Sequence, residues 1–263
     1  YHFATDQRKP YIHPLCTPAG VPLTAYQPSD HVWHRGLWFS WKFINDVNYW
    51  EERPGGEDDG RTEFLGREQV QLTPEAAEVT TALRYVEPAG REVLTEHRRL
   101  VFHAPHKADA CAIDWRQEWT AAVDVTLDRQ PISDETPWGG YGGLSWRAAR
   151  TLIDYRVIDS QGRQDHDAQH QPARWLDMTG QADGAREAFA GITIFDSPDN
   201  PRHPSRWKLF REPGFGYINP AILLTDPLSL KAGEKLALRY RTLIHDGRPD
   251  VDGLEAEYQR WAG

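Results

Sequence analysis

Two histidines, an aspartate, an arginine and three tryptophans fall within thirteen residues, Ser29-Asp30-His31-Val32-Trp33-His34-Arg35-Gly36-Leu37-Trp38-Phe39-Ser40-Trp41. The titratable groups come first, Gly36 follows them, and an aromatic strand-like run starts after it. That order predicts a loop at the mouth of a β-sheet, with imidazoles held against indole rings. Sugar sites are often assembled from such parts. Indole faces cover the apolar C–H faces of a sugar ring, and charged groups bind its hydroxyls. His31 and His34 sit between Pro28 and Gly36, so a loop rather than a helix must bring them together. An imidazole titrates near neutrality, which suits it to general acid/base work, to donating to a sugar hydroxyl, or to ligating a metal. The competing reading is that one or both bond only to local backbone. The Asp-x-x-x-His-Arg cluster beside three tryptophans favours function. Arg35 either offers its planar fork to a substrate or pairs with Asp30. Trp38 is a stacking candidate, with Trp33 and Trp41, although a half-buried strand turns part of its aromatics to the core.

Other candidates lie further along. Asn45-Asp46 reads as a turn that returns Trp50 and Glu51 toward Trp38. Glu51 is then either a carboxylate of the same pocket or the exposed end of an acidic loop. Glu96 falls in phase with Leu94, Arg98, Leu100 and Phe102. A carboxylate in an apolar phase is either paired, here with Arg98, or faces a cavity where desolvation suits it to proton transfer. The run Asp196-Ser197-Pro198-Asp199-Asn200-Pro201-Arg202-His203-Pro204-Ser205-Arg206-Trp207 holds three prolines between two strands. A stiff loop can hold Asn200, His203 and Trp207 in fixed geometry for a ligand; otherwise its polar groups cap turns. It is the expected opposite wall of the site. Gly139-Gly140-Tyr141-Gly142-Gly143 lacks the helix-opening context of a phosphate loop and reads as a bend beside a ligand. No cofactor is demanded. A divalent metal at His31 and His34 needs a third ligand, for which His13, His97 and His203 qualify by type alone.

The elements that must position these groups are strands. Residues 113–127 alternate apolar and polar, and residues 236–245 do so more weakly. Further strands are expected over 62–72, 78–86, 93–102, 143–150, 174–178, 191–195 and 207–210. Pro54-Gly55-Gly56, Pro88-Ala89-Gly90, Ser160-Gln161-Gly162 and Lys231-Ala232-Gly233 punctuate them. One helix is expected at the C-terminus, capped by Asp252, with Leu254, Tyr258 and Trp261 on one face. The expected fold is all-β, a large antiparallel β-sandwich with a short C-terminal helix, in a single domain over residues 1–263.

Composition narrows the function classes. A formal net charge of −9 with no basic block speaks against nucleic-acid binding. No apolar run approaches the roughly 18 residues of a membrane helix. Eleven tryptophans and ten tyrosines supply much of the apolar area in a chain that is 39% hydrophobic. Cys16 and Cys111 form no disulfide framework. A cytoplasmic location fits them; because the chain begins at Tyr1, a secreted or periplasmic one stays open.

Several segments together resemble one family: Arg8-Lys9-Pro10-Tyr11-Ile12-His13-Pro14, the Asp30 to Phe39 run, Gly142-Gly143-Leu144-Ser145-Trp146-Arg147, the Asp199 to Trp207 run, and the close from Gly233-Glu234 to His245-Asp246-Gly247. The chain resembles the bacterial PmoA-like family across nearly its whole length. The resemblance implies the supersandwich of the galactose-mutarotase-like superfamily, sugar binding on a sheet, and His/carboxylate acid–base chemistry. By family position it implies His31, His34, Arg35, Asn200, His203 and Trp207 as site residues, with Arg147 beside them. The implied gene company of sugar dehydrogenases points to a keto-glycoside, cleaved or epimerised. The expected function is thus a carbohydrate-active enzyme on a small-molecule sugar or glycoside, with a non-catalytic carbohydrate-binding module as the alternative.

Overall fold

The computed structural model describes residues 2, 7–52, 56–66, 69–105, 108–182 and 188–263. The turn expected at Pro54-Gly55 and the middle of the expected 62–72 strand lie outside the described residues. The rest is an all-β, antiparallel arrangement with one C-terminal helix, as the alternation predicts.

Three sheets form it. The largest runs Leu152–Asp159, Trp175–Ala182, Phe189–Asp196, Lys235–Asp246, Ala110–Ala121, Glu92–His103, Ala76–Val86 and Arg61–Phe64, with Gln69–Leu72 also paired to Ala76–Val86. A five-stranded sheet runs Tyr11–Ile12, Leu37–Ser40, Gly143–Arg147, Phe215–Pro220 and Trp207–Glu212. A four-stranded sheet runs Leu228–Leu230, Val125–Asp128, Phe43–Ile44 and Val47–Asn48. The main core lies between them. Trp115, Trp119, Ile192 and Leu238 of the large sheet meet Leu37, Phe39, Trp146 and Ile218 of the five-stranded one.

The run over 113–127 is not one strand. It pairs in the large sheet up to Ala121, bends, and resumes at Val125 in the four-stranded sheet, where Val125 faces Leu230. Alternation persists across the bend because both pieces bury the same phase, Trp119 and Ala121 before it, Val125 and Leu127 after. The helix, Val251–Ala262, buries Leu254, Tyr258 and Trp261 against Trp175, Phe195 and Leu243 on the outer face of the large sheet. Its cap is Asp250, which accepts from the Gly253 N–H, two residues earlier than expected. Glu255 is drawn to Arg174 and the Trp175 indole instead. No helix among the described residues is long and apolar enough to cross a membrane.

The five-stranded sheet positions the site. Its strands are buried on both faces, so the residues between the core positions also need partners. Tyr11, Trp38 and Tyr217 point away from the main core and join Trp50 in a second aromatic cluster, flanked by Trp33, Tyr141, Phe210 and Phe215. Gly36 starts the strand at φ +75°, and a Cβ there would stand 2.8 Å from the Ile12 carbonyl oxygen. Only glycine allows the His31–Arg35 loop to enter the sheet so closely.

Candidate functional site

On that second face lies a cleft of about 590 Å³. His31, Trp33 and His34 come from the loop before Leu37–Ser40, and Trp50 and Glu51 follow Val47–Asn48. Trp138 and Tyr141 come from the glycine-rich segment, and Phe210, Glu212, Phe215 and Tyr217 from a hairpin.

The two imidazoles stack, with ring centroids 4.6 Å apart and planes 24° apart. His34 is the deeper one, packed on Tyr217 at 5.8 Å and tilted on Trp38 at 5.0 Å. Arg147 Nη1 approaches His34 Nδ1 at 3.4 Å. Guanidinium has N–H groups only, so Nδ1 must accept and the neutral ring carries its proton on Nε2. Burial, then the neighbouring His31, Arg147 and Lys9, push the His34 pKa well below its usual value. His34 is therefore a neutral N–H donor. His31 is more open. Its Nδ1 lies 3.4 Å from Asp30 Oδ2 without hydrogen-bond geometry, and the negative charge on that side favours the proton on Nδ1 and the lone pair on Nε2. Burial lowers the His31 pKa, partly offset by Asp30, so this ring is also neutral near pH 7.

Asp30 is the hinge of this arrangement. Its carboxylate accepts from Arg147 Nη2 at 2.5 Å and from Arg150 Nη2 at 3.0 Å. Partial burial works to raise its pKa, but the Arg147 guanidinium outweighs that and holds it well below the usual carboxylate range. Arg147 is fully buried, lies 3.6 Å from the Phe215 ring centroid, and also donates to the Gly214 carbonyl. Glu51 is buried, ion-paired with Lys42, and accepts from the Tyr141 hydroxyl at 3.3 Å. Glu212 is exposed at the rim and has no side-chain partner among the described residues.

The expected site residues thus divide three ways. The structure brings His31, His34 and Glu51 to one cleft. It puts Trp38 and Arg147 directly behind the wall, where Trp38 carries the His34 ring and Arg147 fixes Asp30. Arg35 is also behind it, and its partners are Glu52 and the Tyr26 hydroxyl rather than Asp30. Glu52 also holds buried Lys9, whose pKa burial pulls down to about 8 with Glu52 partly offsetting.

Glu96 lies elsewhere, under the large sheet. Arg98, Gln117 and the Tyr85 hydroxyl all donate to it, so its apolar phase reflects pairing rather than a cavity. The 200–207 loop is not the opposite wall. Asn200 and His203 turn inward to Asp196, at 2.7 and 2.8 Å, and the Trp207 indole donates to the Ala173 carbonyl. Arg202, Pro204 and Arg206 border a smaller cavity of about 350 Å³. Among the described residues, no group of three or more His, Cys, Asp or Glu is placed to hold a metal ion, so His13, His97 and His203 do not join His31 and His34.

The opposite wall is the hairpin Trp207–Glu212 and Phe215–Pro220, which the sequence reading missed beyond residue 210. A signal was present in Pro213-Gly214, a turn pair, with Phe210 and Glu212 in phase before it and Phe215 and Tyr217 in phase after. Tyr141 falls inside the glycine-rich bend expected beside a ligand, whereas Trp138, one residue before it, is a lining residue the sequence pattern did not single out. A Cβ on Gly139 would meet the Gln130 carbonyl oxygen at 2.5 Å, which explains the glycine between them.

A family model described as a family of unknown function, DUF6807, matches residues 1–259. The chain belongs to that family. No curated protein matches it. Among solved structures it is similar to the galactosidase domain of an α-galactosidase–sucrose kinase, AgaSK, at 10% identity and a TM-score of 0.40, over 86% of this chain and 32% of that one. It is also similar to the GH36 α-galactosidase AgaA of Geobacillus stearothermophilus, solved with raffinose, at 11% identity and a TM-score of 0.36, over 89% and 29%. A third is the Slr1438 protein of Synechocystis sp. PCC 6803, at 11% identity and a TM-score of 0.33, over 70% and 66%. The chain spans about a third of the length of the first two.

Proposed function

We propose that this chain, as a single domain of the PmoA-like, galactose-mutarotase-like kind, is a carbohydrate-active enzyme that moves a proton on a sugar or glycoside. The observation that carries the reading is the unequal pair of stacked imidazoles. His31, with Nδ1 turned to Asp30, is the base at Nε2. His34, with Nδ1 facing Arg147, donates its Nε2–H to the oxygen that gains charge. Such a pair suits a carbon acid. On a keto-sugar, His31 takes the proton from the carbon next to the carbonyl, and the bond's electrons move into an enolate whose oxygen His34 binds. Return of the proton to the other face epimerises the sugar. Loss of a glycosidic oxygen from the adjoining carbon cleaves the glycoside, and the leaving group takes up a proton. Both outcomes share the first step.

The test is proton exchange. The purified protein is incubated in D₂O with keto-glycosides and reducing sugars, and NMR follows loss of the C–H signal beside the carbonyl. Exchange is expected with at least one keto-sugar, and His31→Asn is expected to slow it roughly 10²–10⁴-fold. Absence of exchange across the panel overturns the enzymatic reading.

One observation favours a non-catalytic binding module. The lining is mostly aromatic, and aromatic walls suffice for binding. On that reading His31→Asn binds glycans like the wild type, and no substrate exchanges.

A further inference from the structure

Seven of the eleven residues that line the cleft are Trp, Tyr or Phe. No Lys or Arg is among these described residues. The cations just behind the wall are all engaged: Lys42 by Glu51, Lys9 and Arg35 both by Glu52, Arg147 and Arg150 both by Asp30, and Lys208, over the Phe210 ring, by the Pro137 carbonyl. Glu51 is balanced by Lys42, and Glu212 is the exposed lining carboxylate without a side-chain partner among the described residues.

The polar groups are not spread evenly. From His34 an aromatic run leads away through Trp50 and Tyr141 to Trp138, with successive centroids 6.4, 4.9 and 6.1 Å apart. Trp138 at its far end is 44% exposed. Phe215 and Phe210, 5.4 Å apart, form a second run from the same imidazoles. A sugar hydroxyl buried without a partner loses its hydration for nothing. Beyond the imidazoles and Glu51 the hydrogen-bonding groups of the lining include the Tyr141 hydroxyl, the indole N–H groups and Glu212 at the rim. A sugar ring finds its charged and imidazole partners at the His31–His34 end, and the flat ring faces beyond it suit an aromatic group. A volume of about 590 Å³ leaves room beside one sugar ring.

We infer that the ligand is an aryl glycoside, its sugar at the His31–His34 end and its aromatic aglycone along the Trp50–Tyr141–Trp138 run. This rests on the carbohydrate reading above and adds the aglycone. The Lys42–Glu51 pair and the Tyr141 hydroxyl fix the middle of the run, so the stacking surface is formed before the ligand arrives.

Binding calorimetry and tryptophan quenching test this on the whole chain. The probes are the p-nitrophenyl and methyl glycosides of glucose and galactose in both anomers, and p-nitrophenol alone. One p-nitrophenyl glycoside is expected to bind roughly tenfold or more tighter than its methyl counterpart. Trp138→Ala, at an exposed position that does not threaten the fold, is expected to erase most of the aryl preference. Equal affinity for aryl and methyl glycosides overturns this inference and leaves the carbohydrate reading standing. If p-nitrophenol binds as tightly as its glycosides, or no glycoside binds at all, the carbohydrate reading falls and takes this inference with it.

Discussion

The chemistry turns on how two like residues are made unlike. His34 is kept neutral by burial and by three cationic or ionisable neighbours, while His31 faces a carboxylate. A histidine whose pKa is lower folded than unfolded binds fewer protons in the fold. Between that lowered value and about 6.5, stability therefore falls as pH falls, by at most about 1.4 kcal/mol per pH unit for one such group. His13, His31 and His170 are shifted the same way by burial. Asp30 has the opposite sign, since a depressed carboxylate stabilises above its unfolded value near 4 and loses that only at lower pH. Melting temperature is accordingly expected to drop from pH 7.5 to 5.5, and His34→Gln to flatten part of that slope. An unchanged slope in thermal scans of the variant would show that His34 is not held neutral.

At the scale of elements, the loop-to-strand junction is the sensitive point. Gly36→Ala places a side chain at positive φ and against the Ile12 carbonyl, so a loss of about 1–3 kcal/mol is expected by denaturant titration, with weaker ligand binding from a shifted His34. A variant with wild-type stability would disprove the close approach. The junction was legible in the sequence because glycine after a polar cluster and before an apolar run has few readings. The strand alternation was legible too, as was the helix face of Leu254, Tyr258 and Trp261. Its cap was misplaced by two residues, since Asp250 and Asp252 both satisfy the local rule and only the chain path into the helix decides. The opposite wall could not be read. Pairing of Gly143–Arg147 with Phe215–Pro220 joins residues some seventy positions apart, and local pattern says nothing about such a register. The 200–207 loop looked like a wall of the cleft from local pattern alone, and the structure turns its Asn200 and His203 to Asp196 instead. Asn200 and His203 are polar groups on a stiff loop, and buried Asp196 needs them.

Across the whole molecule, buried polar groups fall into separate clusters with separate duties. Glu96, with Arg98, Gln117 and Tyr85, belongs to the large sheet and lines neither cavity. Glu96→Gln takes the counter-charge from a buried guanidinium, so a stability loss of about 3–5 kcal/mol is expected, with ligand affinity of the folded protein unchanged. A change in affinity at full stability would return Glu96 to the site. The five-stranded sheet, by contrast, serves two interiors at once. Leu37 and Phe39 enter the main core while Trp38 on the same strand supports the cleft, and Leu209 and Phe210 divide in the same way. A partition wall of this kind makes the effect of mutation depend on parity. In a saturation scan of Leu37–Ser40, Gly143–Arg147 and Trp207–Glu212, odd and even positions should separate into two phenotypes, one reading out as protein abundance and the other as ligand response. Such strands can exchange their ligand-facing letters while their core-facing letters stay fixed, so the cleft can be altered without disturbing the main core.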